Sequence, residues 1–178
     1  MRPSWRVETH VRHVETLKSW GVPVIVIGHN LPGADVSYVK SDDRGGMKSL
    51  VSKLVHHGHK RICYVANQRH LSTGTERKSG YIDAIEEAGL TLMFASRGDS
   101  HSDASPSDNV AIGRATAMNL FMESKPPSAI VTDNDVLATG VYRALLDMSQ
   151  AIPGQVELFG FGDDPEAHLL FDDDFPIS

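Results

Sequence analysis

Four polar stretches close apolar runs in this chain of 178 residues: Gly28-His29, Asn67 to Thr75, Asp133-Asn134-Asp135 and Gly162-Asp163-Asp164. A pocket built from them would offer carboxylates, amides and one guanidinium, that of Arg77. Carboxylates accept hydrogen bonds from hydroxyls, and Arg donates in a fixed planar fork, so this mixture suits a neutral polyhydroxy ligand. Familiar catalytic signatures do not occur: there is no G-x-S-x-G, no phosphate loop and no G-x-G-x-x-G. Gly45-Gly46 alone does not specify a phosphate site. Among nine histidines, His10 and His13 lie one turn apart, and His56, His57 and His59 cluster at a helix end. No second ligand set follows at matching spacing, and helix C-termini favour His through the macrodipole. Neither a metal nor a cofactor is expected.

Each candidate also fits a structural role. Thr73 with Glu76 has the spacing of a capping box, and Asp133 or Asn134 is placed to cap the helix that follows it. Asp42 is a third candidate cap. Arg77 on the first turn of a helix fits a solvated position, and Asp172-Asp173-Asp174 fits a solvated turn.

What must position these groups is an alternation of two periods. Val7, Val11, Val14 and Leu17 follow helical spacing until Gly21 and Pro23, and the apolar run VPVIVIG (22–28) comes next. VSYV (36–39) is a shorter strand. Met47, Leu50, Val51, Leu54 and Val55 form a second helical stripe, ended by HHGH before the strand RICYVAN (61–67). A third helix carries Tyr81, Ala84, Ile85 and Ala88 up to Gly89, and LTLMFAS (90–96) reads as a strand. A weaker helix runs from about Ser107 to Glu123. SAIVTDN (128–134) leads into a fifth helix with Leu137, Val141, Ala144, Leu145 and Met148, and VELFGFG (156–162) is the last strand. Near-continuous apolar strands between amphipathic helices predict a doubly wound parallel α/β sheet covered on both faces. In such sheets ligands bind beyond the carboxyl ends of the strands, where all four polar stretches fall. The stretch from 97 to 109 is the one long loop.

Composition narrows the function. Seventeen basic against 23 acidic residues give a net charge of −6, which leaves no basic surface to grip a phosphate backbone. The longest apolar stretch is far too short to cross a bilayer, and the polar start does not resemble a secretory leader, so a cytoplasmic protein is expected. The single cysteine, Cys63, sits in an apolar strand and reads as a buried thiol.

Two family resemblances follow. AIVTDNDV resembles the strand-end D-x-D-x-V of haloacid-dehalogenase-like phosphohydrolases, with Asp133 as nucleophile, Asp135 as acid/base, and Asp163 and Asp164 as the metal motif. The lysine that chemistry requires is missing after Lys125. The order of five motifs resembles instead the effector-binding domain of the lac/galactose repressor family. They are Val22-Pro23-Val24; SDDRGGMKSLVSKLVHHGHKRICYVAN; ERKSGYIDAIEEAGL; PPSAIVTDNDVLATGVYRAL; and IPGQVELFGFGDDPEA. This similarity spans about residues 20 to 176.

The resemblance implies a periplasmic-binding-protein-like fold of two lobes with ligand in the cleft between them. Residues 1–40 would be part of the N-terminal lobe and 41–176 the complete C-terminal lobe, the chain crossing near Lys40 to Asp42 and again near Pro176. The remainder of the first lobe and a helix-turn-helix DNA-reading headpiece would lie outside this chain. Carried over by position, Arg77 would hold ligand hydroxyls, Asn134 would bond the ligand from its strand end, and Thr73 would line the loop. The family's strand-end aspartate falls on Gly162, leaving Asp163 as the nearest acid, and Gly28 replaces a second frequent aspartate. The implied partners are a sugar-like effector, a second copy in a homodimer, and DNA only through the headpiece. A periplasmic sugar receptor of the same fold is the alternative.

Overall fold

The computed structural model describes residues 5–66, 72–95, 106–150 and 154–164. Helix α1 (Trp5–Ser19) precedes strands β1 (Ile25–Ile27) and β2 (Ser37–Val39), which pair in parallel with Val26 beside Tyr38. Then come α2 (Asp43–His56), β3 (Ile62–Val65), α3 (Ser72–Glu87), β4 (Phe94–Ala95), α4 (Pro106–Phe121), β5 (Ala129–Thr132), α5 (Asp135–Asp147) and β6 (Glu157–Phe159). The last four strands form one parallel sheet in the order β4-β3-β5-β6.

Both faces of that sheet are covered. Every residue of β3 and β5 is buried, as near-continuous apolar strands require. Alternate side chains go to opposite faces: Ile62, Tyr64, Ala129 and Val131 pack with Met47, Val51, Tyr81 and Ile85 of α2 and α3. Cys63, Val65, Ile130 and Leu158 pack with Ala117, Leu120, Val141 and Leu145 of α4 and α5. Each helix pair meets backbone to backbone at glycine. A Cβ on Gly80 would lie 2.2 Å from the Arg44 carbonyl oxygen, and one on Gly140 2.1 Å from that of Val110. The two-stranded sheet is less covered: Ile25, Ile27 and Val39 are 64%, 79% and 64% exposed.

Helix ends follow local chemistry. Asp42 caps α2 by accepting from the Gly45 N–H at 2.9 Å. Gly58 takes a left-handed conformation beyond its C-terminus, and the His59 N–H closes back on the Leu54 carbonyl. Helix α5 ends with the same closure, Gln150 N–H to Leu145 O, but the left-handed residue there is Ser149, at φ +56°.

Three expected strands are much shorter than their apolar runs, and of VELFGFG only Glu157–Phe159 is strand. Of LTLMFAS only Phe94–Ala95 is strand. The Leu90 N–H closes the end of α3, and the Met93 N–H goes to the Tyr81 hydroxyl, so pairing with β3 starts at the Met93 carbonyl. VPVIVIG contributes only Ile25–Ile27, since the Val22 N–H is held by the end of α1. The expected capping box on α3 is not formed. That helix already includes Ser72, so Thr73 lies within its first turn, and Glu76 pairs with Lys40 instead. Asn67, the loop from 97 to 105, Asp172-Asp173-Asp174 and Pro176 lie outside the described residues.

Candidate functional site

At the carboxyl ends of β3, β5 and β6 the structure assembles a cluster around one guanidinium. Asp43, in the first turn of α2, has no exposed side-chain surface and accepts from Arg77 Nε at 2.8 Å. Its other carboxylate oxygen accepts from the Ser41 hydroxyl at 3.2 Å. Arg77, 17% exposed, also donates from Nη1 to the Asp133 carbonyl at 2.7 Å and stacks over the Phe161 ring, 4.2 Å from its centroid. Three elements thereby fix the guanidinium: α2, the end of β5 and the segment after β6. Tyr64, on β3 beneath it, donates to Asp133 Oδ1 at 2.9 Å. Burial first, and the Asp133 charge second, push the Tyr64 phenol far above its ordinary range, so it stays protonated and a donor.

A cleft of about 540 Å³ opens beside this cluster, lined by Ser41, Lys53, Arg77, Phe161, Asp163 and neighbouring residues of α2 and the strand end. Its wall is the turn Gly160 to Asp164. Gly162 (φ +129°) and Asp163 (φ +53°) both have positive φ there, and that backbone turns the Asp163 side chain outward, where it is exposed. Behind the wall, Asp135 in the first turn of α5 is 2% exposed and accepts from the Asp164 N–H at 2.8 Å. Its Oδ1 is buried with no hydrogen-bond partner among the described residues. Burial chiefly raises the Asp135 carboxyl above the usual range, opposed by the Asp164 amide and reinforced by the Asp164 and Asp163 charges.

Of the four residues read from the sequence as ligand contacts, Arg77 and Asp163 line the same cleft. Asn134 adjoins Arg77's acceptor in the chain, but its side-chain oxygen caps α5 by accepting from the Leu137 N–H at 3.0 Å. Thr73 is half-buried in the first turn of α3 and is not among the cleft-lining residues. Sequence reasoning missed Asp43 and Phe161. The signal for Asp43 was a second acid directly after a capping aspartate; for Phe161 it was an aromatic between two glycines at a strand end.

The two aspartates of the phosphohydrolase pattern do not converge. Asp133 is 5% exposed and held by Tyr64, whereas Asp135 faces the Asp164 amide. No group of three or more His, Cys, Asp or Glu suited to a metal occurs among the described residues. His59 instead bridges Ser128 Oγ (3.0 Å) and Glu157 (3.3 Å), below the starts of β5 and β6. No helix of the described residues is long and apolar enough to cross a membrane.

Comparison with known proteins defines the class. Residues 51–172 match the family described as periplasmic binding protein-like domain, and the chain belongs to that family. It is 28% identical over 151 residues to the HTH-type transcriptional regulator AglR of Rhizobium meliloti (84% of this chain, 41% of that protein). It is 23% identical over 163 residues to the ribose operon repressor of Bacillus subtilis (92% of this chain, 47% of that protein). A crystal structure of a LacI-family regulatory protein from Chloroflexus aggregans superposes with a TM-score of 0.72 at 26% identity, covering 88% of this chain and 54% of that one. The resemblance to lac/galactose repressor effector domains therefore stands, and the phosphohydrolase and transport-receptor alternatives are not favoured. These relatives are transcriptional regulators rather than enzymes, and the chain spans under half the length of either curated one.

Proposed function

We propose that this chain is the effector-sensing part of a cytoplasmic transcriptional regulator and performs no catalysis. The observation that carries it is the Arg77 guanidinium, fixed by Asp43 and Phe161 beside a cleft that Asp163 also lines, in a fold whose relatives are regulators. The effector is a sugar or a similar small polar molecule. Arg77 donates to its hydroxyls and Asp163 accepts from them, while the Asn134 amide nitrogen donates from the strand end.

Residues 1–40 form part of one lobe and 41–176 the other, a division supported by the two separate sheets on either side of Lys40. Effector binds one lobe arrangement better than the other and shifts the population toward it. In a homodimer that motion resets the spacing of two helix-turn-helix headpieces, which make the DNA contacts this acidic chain does not. A coupling of about 1–3 kcal/mol suffices for such a switch.

Calorimetric titration of the chain with ribose first, the sugar in the name of the Bacillus subtilis relative, then with a panel of monosaccharides and their phosphates, tests this reading. Saturable binding that Asp163→Ala weakens about tenfold or more is expected. Binding unaffected by Asp163→Ala overturns the assignment of the cleft.

A further inference from the structure

The cleft wall has an anchor that the ligand contacts do not include. The turn from Gly160 to Asp164 carries both Phe161, on which Arg77 stacks, and Asp163, which faces the cleft. This turn is wrapped around the carboxyl group of Asp135. Asp135 Oδ2 takes the Asp164 N–H at 2.8 Å. A Cβ on Gly160 would lie 2.0 Å from Oδ1, and one on Gly162 3.3 Å from Oδ2, so the backbone approaches the carboxyl as closely as glycine permits. We infer that Asp135 is a positioning residue of the effector cleft, acting through the Gly160–Asp164 turn to hold Phe161 beneath Arg77 and to aim Asp163 at the ligand. The inference deepens the proposed function and rests on it for the word effector; the geometry of the turn does not.

The physical argument is one of satisfaction and space. An acid 2% exposed with one oxygen unpartnered among the described residues is an expensive group to keep. Asp135 sits at the first turn of α5, where the helix dipole favours its charge, yet that helix is already capped by Asn134. The carboxyl is therefore not needed to start α5. What it alone supplies is an acceptor for the Asp164 amide in a turn whose residues 162 and 163 both have positive φ. The charged groups around it are Asp163 and Asp164 on the turn and Arg77 on α3.

The test uses the ligand-free chain, so failure to find an effector leaves its outcome intact. In heteronuclear spectra recorded against pH, the Asp135 carboxyl carbon and the Asp164 amide proton titrate together. Asp135→Asn, which keeps an oxygen acceptor, removes from the Asp164 amide the titration step it shares with the Asp135 carboxyl carbon but preserves slow exchange of that amide and the position of the Arg77 Nε signal. Asp135→Ala speeds exchange of the Asp164 amide about tenfold and moves the Arg77 Nε signal, while the Leu137 amide, held by Asn134, stays protected. An Asp164 amide indifferent to the titration of Asp135, or an Arg77 signal unchanged in Asp135→Ala, overturns the proposal. If Asp135→Ala does not fold, the wild-type titration and Asp135→Asn still decide it.

Discussion

Replacing Arg77 with Met gives the sharpest energetic test of the cluster. Met retains much of the apolar stem but removes three things at once: the Asp43 bond at 2.8 Å, the Asp133 carbonyl bond at 2.7 Å and the charge over Phe161. The dominant loss is at Asp43, whose side chain has no exposure and whose other side-chain donor among the described residues is the Ser41 hydroxyl. Removing one partner of a buried ion pair leaves an uncompensated charge and costs about 3–5 kcal/mol. For a domain of this size each kcal/mol lowers Tm by roughly 2–4 °C, so a fall of roughly 6–20 °C is expected. The assay is urea unfolding at neutral pH followed by fluorescence and circular dichroism, with the midpoint read at unchanged m-value. The double variant Arg77→Met/Asp43→Asn, which removes the stranded charge, recovers about half of the loss or more. A loss below about 1 kcal/mol in the single variant, or no recovery in the double, refutes the claim that a buried ion pair holds this site together.

Ser149→Gly relieves a left-handed residue at the end of α5 and raises stability by about 0.5–1 kcal/mol in the same urea assay. Gly140→Ala places a methyl against the α4 backbone and costs about 1–3 kcal/mol or more, with apparent melting reporting the loss. The Cys63 thiol, buried in β3 and pushed up to about 12 by desolvation, reacts with a thiol reagent only at the rate of opening, so modification kinetics follow unfolding across denaturant.

The alternation of strands and helices was legible because the two central strands are buried on both faces and their sequences, ICYV and AIVT, hold two hydroxyls and no charge. Glycine stops were equally plain, since a left-handed residue at the end of α2 leaves few alternatives to Gly58. The end of α5 was less so, because Ser149 takes that conformation without the glycine signal. Strand β4 was overread: hydrophobicity marks burial, but hydrogen-bond partners decide ladders, and Tyr81 is distant in sequence from the Met93 amide it captures. Arg77 and Asp163 came from the family resemblance laid over the strand-end rule, and the cleft contains both. The pairing of Arg77 with Asp43 joins groups 34 residues apart, and no local rule links them. For Asn134 the local rule and the inherited role coincide on one side chain, and the structure shows the oxygen used as a cap.

The most direct test of the central claim is chemical-shift mapping of the chain during titration with ribose and the sugar panel. The account predicts saturable shifts centred on Ser41, Arg77, Phe161 and Asp163. Saturable shifts centred elsewhere, or none with any member of the panel up to about 10 mM, where only binding weaker than roughly 3 kcal/mol would escape, contradict it.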